Sequence, residues 1–258
     1  MYPTLTLDVR NRVAHLTLNR TDAMNTLSLQ MGKDLLAAAL ACESDKNVRA
    51  VLITGAGKAF CAGGDLRGMQ EQGDGLESFL RELTTYLHTA INLFTKMDAP
   101  VIAAVNGTTA GAGVGLVAMA DLAIAAQSVR FTLAYTGVGL TPDGGTSYFL
   151  PRLIGLKRSA ELLLLNRTLS AEEALHWGLV NQVVADADLA AEAAKLAERL
   201  ANGPTGAYGK VKRLLAASSG ALEAQLTLEG RTITSQGVSA EGREGITAFL
   251  GKRKPNFG

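Results

Sequence analysis

Ala59-Phe60-Cys61-Ala62-Gly63-Gly64-Asp65-Leu66 and Asn106-Gly107-Thr108-Thr109-Ala110-Gly111-Ala112-Gly113 are two glycine-rich stretches of the same build. Each follows a short apolar run, Val48–Thr54 before the first and Val101–Val105 before the second. Short apolar runs rich in β-branched residues and bounded by glycine suit strands buried on both faces. Asp121–Ala125 is a third run of this type. Helical patterns lie between them. Ser28 to Cys42 places Leu35, Leu36, Ala39 and Leu40 at helical spacing behind a serine cap, and Leu76–Met97 and Gly111–Met119 also read as helices. Alternating buried strands and helices predict an α/β protein. Ahead of them, residues 4–18 alternate polar and apolar, which predicts two strands with a turn near Asn11.

The tail reads differently. Ser170-Ala171-Glu172-Glu173 forms a capping box and Gly178 ends the helix it starts. From about residue 187 helix follows helix, broken at Gly203-Pro204, Gly220 and Gly237. We therefore expect an α/β core over residues 1–200 and a helical region over 201–258. Leu214, Leu215, Leu222, Leu226 and Leu228 make that region too apolar to stand exposed in a monomer.

Composition removes several classes of function. With 25 Lys+Arg against 24 Asp+Glu, the net charge of +1 lacks the basic surplus of a nucleic-acid coat. Aromatic residues, at 5%, are too few for a row of base-stacking platforms. No apolar stretch reaches the ~18 residues of a membrane span, and Met1-Tyr2-Pro3-Thr4-Leu5 does not open a signal peptide. Two cysteines and three histidines support neither a disulfide framework nor a structural metal site. The expectation is a cytoplasmic enzyme-sized globule with no metal.

Gly111-Ala-Gly113-Val-Gly115 tempts as a dinucleotide fingerprint, but its spacing is GxGxG and no acidic residue follows at the required distance. The two opening stretches instead suggest a pair of turns offering free backbone N–H groups to one point, as an oxyanion hole requires. Taken alone, the residues fit two ordinary strand-to-helix turns equally well.

Phe60-Cys61-Ala62-Gly63-Gly64-Asp65-Leu66, Ala104-Val105-Asn106-Gly107 with Gly111-Ala112-Gly113, and Phe131 through Gly139-Leu140-Thr141-Pro142-Asp143-Gly144-Gly145-Thr146 recur in one order with Phe249-Leu250-Gly251-Lys252-Arg253-Lys254-Pro255-Asn256-Phe257. With Asn19-Arg20 and Met24-Asn25, they resemble the crotonase superfamily, the enoyl-CoA hydratase/isomerase family, over nearly the whole chain. The resemblance implies a crotonase-like spiral of ββα units with a C-terminal helical trimerisation region, assembled as a homotrimer or a hexamer. It implies an acyl-CoA thioester as substrate, with coenzyme A part of that substrate and no separate cofactor. The oxyanion donors would be the Gly64 and Ala112 N–H groups. Met24, Ala62, Asp65 and Leu66 would line the adenine and pantetheine path. Phe249 and Lys252 would approach the CoA adenine or phosphates, those of a neighbouring subunit included.

Hydratases of this family carry two glutamates, at the positions here occupied by Gly115 and Tyr135. Water addition needs an acid and a base, so their loss counts against hydratase chemistry. Asp143 remains, placed as in the isomerase branches, epoxyphenylacetyl-CoA isomerases among them. Without that pattern Pro142-Asp143-Gly144 is simply a favoured turn. Tyr135, Phe131, Val138 and Leu140 would wall an apolar pocket beside Asp143, and Gly68–Gly75 would form a loop over it. His88 and Trp177 read as packed residues and Cys61 as a small buried one. Rival readings are a hydratase with an atypical base, a non-catalytic acyl-CoA binder, and an RNA-associated homologue that the neutral charge argues against.

Overall fold

A computed structural model of the chain describes residues 2–218, 235 and 239–257. A large sheet takes β1 (Leu5–Arg10), β2 (Val13–Leu18), β3 (Ala50–Gly55), β5 (Val101–Val105), β7 (Leu122–Ala126) and β10 (Gln182–Val184), neighbours in that order. A small sheet takes β4 (Ala59–Cys61), β6 (Thr108–Ala110), β8 (Arg130–Thr132) and β9 (Leu169–Ser170). From β2 onward the large sheet is parallel, and so are β4, β6 and β8. β3, β5 and β7 are each followed within a few residues by a short strand, then by a helix. β3–β4, β5–β6 and β7–β8 are thus successive turns of a ββα spiral.

The three apolar runs are buried because both faces of the large sheet are covered; all five residues of β5 are buried. The hairpin between β1 and β2 turns at Asn11 and Arg12, both with left-handed φ (51° and 63°). Two corners of the spiral admit only glycine. An added Cβ at Gly55 would collide with the Ala59 carbonyl, and one at Gly107 with that of Lys58. Asn106 ties these corners together: its Oδ1 accepts from the Gly55 N–H (3.0 Å) and its amide donates to the Gly57 carbonyl (3.1 Å).

The helices are α1 (Leu29–Ser44), α2 (Leu66–Gln70), α3 (Leu76–Lys96), α4 (Ala112–Ala118), α5 (Thr146–Ile154), α6 (Leu156–Leu165), α7 (Ala171–Trp177), α8 (Leu189–Ala201), α9 (Thr205–Ala217) and α10 (Ala240–Leu250); those expected from the sequence form, and α2, α5 and α6 are additional to them. Ser28 caps α1 by accepting from the Met31 N–H, and the Ser170–Glu173 box caps α7. Three details differ from the sequence expectation. Ala59–Cys61 and Thr108–Ala110 open the glycine-rich stretches as strands, three residues being too few for periodicity to register. The Gly68–Gly75 segment begins inside α2 rather than as loop. Trp177 is only partly buried, its ring flanked by the Arg158 and Arg167 guanidinium groups. The helical breaks expected at Gly220 and Gly237, with Leu222, Leu226 and Leu228, lie outside the described residues.

A buried cation helps to anchor α9 to the core. Lys212, 7% exposed at its side chain, pairs with Asp121 at 2.8 Å and donates to the Phe94 and Ala99 carbonyls, both at 3.0 Å. Asp121 also accepts from the Val101 N–H at 2.7 Å, at the mouth of β5. The Asp121 side chain is 27% exposed, so water compensates it in part when the lysine is removed; the Phe94 and Ala99 carbonyls, left without their donor, cost about 1–3 kcal/mol. Lys212→Met is therefore expected to lower the thermal midpoint by about 5 °C in calorimetry; an unchanged midpoint would contradict this role.

Candidate functional site

β4 ends at Cys61, and the chain turns through Ala62, Gly63 and Gly64 into α2. Gly63 sits at φ 92°, a conformation that L side chains rarely adopt. The turn is pinned to residues 24–27: Ala62 N–H donates to the Met24 carbonyl, Leu27 N–H to that of Gly63, and Asp65 N–H to that of Leu27. In this parallel bridge between Leu27 and Gly64, the bonds use the residues flanking Gly64. Its own N–H faces away from Leu27, with no acceptor among the described residues.

Gly111 makes the matching turn after β6, at φ 48° and ψ −126°. Its N–H is taken by the Thr132 carbonyl (2.9 Å). Ala112 then opens α4, and the first N–H groups of a helix have no partner within it. The two turns touch. A Cβ on Gly63 would lie 3.0 Å from the Ala110 carbonyl and 3.5 Å from the Gly111 Cα. Gly113 packs so tightly on Cys61 that a Cβ there would overlap its carbonyl oxygen. Burial pushes the Cys61 thiol up to about 12, so it is an inert part of this packing.

A third turn, Asp143-Gly144-Gly145, leads into α5 and rests on α4. A Cβ at Gly115 would overlap the Gly144 carbonyl, and Gly144 and Gly145 both have left-handed φ (58° and 77°). The Asp143 carbonyl accepts from the Thr146 N–H (3.1 Å), the Thr146 hydroxyl (2.9 Å) and the Tyr135 hydroxyl (3.2 Å). The Tyr135 hydroxyl also donates to Asp143 Oδ1 at 2.7 Å. Burial first, and the Asp143 carboxylate second, raise the Tyr135 phenol far above its ordinary value, so it stays protonated and remains a donor.

Gly64, Ala112, Ala62, Leu66, Tyr135 and Asp143 all line one cavity of about 230 Å³. Its remaining wall is largely apolar, with Thr84 and Thr141 as its hydroxyl-bearing members. Leu80, Leu83 and Leu87 face it from one side of α3, and Val138 and Leu140 from the segment before the aspartate. Phe131 is instead wholly buried in the core. Met24, 44% exposed, and Asp65 are not among the lining residues. Asp65 is engaged by Arg20 at 2.6 Å and by the Gly68 N–H at 3.2 Å. Burial pushes its carboxyl up, but those two contacts outweigh burial and leave it below the usual value. Lys252 is exposed beyond α10 and does not line the cavity, and Phe249 is on that helix, its side chain outside the described positions. Among the described residues no cluster of three or more His, Cys, Asp or Glu is placed to hold a metal ion.

Sequence reasoning missed two contributors. Tyr135 was legible as a wall, not as the partner of Asp143. His88 is exposed rather than packed, and its Nε2 accepts from the Gly144 N–H at 3.2 Å. Only the one-residue offset of His88 from Leu87, which lines the cavity, hinted that it lies near the acid turn.

The sequence model of the enoyl-CoA hydratase/isomerase family matches residues 8–258. A Rhodobacter capsulatus protein named "Probable enoyl-CoA hydratase" is 41% identical over 99% of this chain and 98% of its own. The 1,2-epoxyphenylacetyl-CoA isomerase of Escherichia coli is 40% identical over 96% of each. An enoyl-CoA hydratase structure from Polaromonas sp. JS666 superposes with a TM-score of 0.93, 34% identical over 98% of each chain.

The protonated state of Tyr135 is open to direct measurement. Ordinary tyrosines ionise near pH ~10. In the native protein Tyr135→Phe should leave the alkaline tyrosinate absorbance in that range unchanged. In denaturant the same substitution should remove the share of one among the 5 tyrosines. Loss of that share already in the native titration would show that the phenol is not held protonated.

Proposed function

We propose, from the premise that this chain belongs to the enoyl-CoA hydratase/isomerase family and has its crotonase-type fold, that it moves the double bond of an enoyl-CoA thioester. The thioester carbonyl oxygen lies between the Gly64 and Ala112 N–H groups. Asp143 takes a proton from the α-carbon of a β,γ-enoyl group, and the electron pair spreads through the double bond onto the carbonyl oxygen. The two amides stabilise that oxyanion; losing one such donor typically costs about 2.7–4 kcal/mol in the transition state. The same carboxyl returns the proton two carbons along, which leaves an α,β-double bond and regenerates the carboxylate. One base suffices, and no water is consumed.

The observation that carries this reading is the seat of the acid turn. The Gly144 carbonyl occupies the space that any side chain at position 115 would need. The hydratase glutamate expected there is therefore excluded by the same turn that brings Asp143 to the cavity. Tyr135, at the position of the second glutamate, donates to Asp143 Oδ1 instead of working on water. That hydrogen bond occupies one carboxylate oxygen and leaves the other for the substrate. The apolar wall from α3 suits a hydrocarbon acyl group and keeps solvent from the enolate.

Hydration is the second reading, favoured by the name of the Rhodobacter relative. Assembly into a trimer or hexamer belongs to the proposal as well. Leu153, Leu156, Val211 and Leu215 are exposed on the single chain, and Tyr148 beside them is 43% exposed.

Incubation with a β,γ-enoyl-CoA should produce the absorbance of a conjugated thioester, whereas a hydratase would bleach an α,β-enoyl-CoA into a hydroxyacyl product. Asp143→Asn should still bind acyl-CoA while kcat for isomerisation falls about 10²–10⁴-fold, the usual worth of a general acid–base. Near-normal turnover by that variant would remove Asp143 from the chemistry.

A further inference from the structure

We infer that His88 is a positioning residue for the acid turn, acting through the Gly144 N–H on the aspartate beside it. The inference rests on the assignment of Asp143 as acid–base given above. The turn has little stiffness of its own, because Gly144 and Gly145 follow one another in left-handed conformations that glycine enters and leaves freely. It is fixed by hydrogen bonds from two sides. Thr146 and the Tyr135 hydroxyl hold the Asp143 carbonyl from the α5 side. On the α3 side it is held by the imidazole, whose Nε2 accepts from the Gly144 N–H at 3.2 Å.

Gly144 is buried, so its N–H has no solvent to fall back on when that acceptor is taken away. Accepting at Nε2 requires the neutral ring with its proton on Nδ1. The histidine does not touch the carboxylate in these contacts; it sets where the backbone carries it. His88 thus complements Tyr135, which fixes one carboxylate oxygen directly. A carboxylate held by one side only can swing, and misplacement by about 1 Å is enough to cost about 10²-fold in rate.

The test compares four enzymes with a β,γ-enoyl-CoA: wild type, His88→Leu, His88→Gln and Asp143→Asn. Leucine fills the position without an acceptor. Glutamine carries its amide oxygen as many bonds from Cα as Nε2 lies, and so can take the Gly144 N–H. His88→Leu should lose about 10–100-fold in kcat with KM nearly unchanged, since the loss is of geometry at the reacting atoms, and its thermal midpoint should fall by a few degrees because the buried Gly144 N–H is left unpaired. His88→Gln should recover most of that loss. Wild-type kcat in His88→Leu, a defect confined to KM, or a glutamine variant no better than leucine would each overturn the inference. If Asp143→Asn is inactive while His88→Leu turns over normally, only the role of His88 fails. If Asp143→Asn itself turns over normally, the assignment beneath it has failed.

Discussion

Close contact between backbone and backbone is the constraint on which this site depends. Three turns from different parts of the chain converge on α4, and at two of the contacts a single methyl group would not fit. Gly113 lies against the Cys61 carbonyl and Gly115 against that of Gly144. Side chains cannot bring main-chain amides this near to one another; only their absence can. The corners at Gly55 and Gly107 meet the same demand one layer back, where each long strand passes into its short one. Helix α4, Ala112-Gly-Val-Gly-Leu-Val-Ala118, is made of small and apolar residues and is buried along its whole length.

Much of this was legible in the sequence because glycine and buried strands leave local marks. The apolar runs ending at Thr54 and Val105, the serine caps, and the glycine clusters all report constraints that act within a few residues. The presence of a ββα spiral was harder to see: strands of three residues carry no period, and their pairing joins residues about fifty positions apart, as Cys61 with Thr109 shows. Resemblance supplied that architecture where periodicity did not. What escaped both was the support of the carboxylate. Tyr135 and His88 reach Asp143 and Gly144 across 8 and 56 positions of sequence, and neither contact follows from any pattern around those residues.

Chemistry in this cavity divides between fixed and fitted parts. Backbone turns present the amides, and their position is set by packing density that tolerates no variation. The carboxylate is different: it rides on two glycines and owes its aim to a phenol that burial keeps protonated and to an imidazole on another helix. Electrostatics and geometry act together here. A phenol forced to remain neutral beside a carboxylate is a permanent donor, so the hydrogen bond persists through changes of pH that would alter a group with an ordinary titration.

Helix α3 has a double duty that follows from its angular spacing. Leu80, Leu83 and Leu87 look into the cavity, and the next residue after the last of them braces the acid turn. Wall and brace therefore share one rigid rod: any displacement of α3 that widened the leucine face would carry the His88 acceptor away from the Gly144 N–H as well.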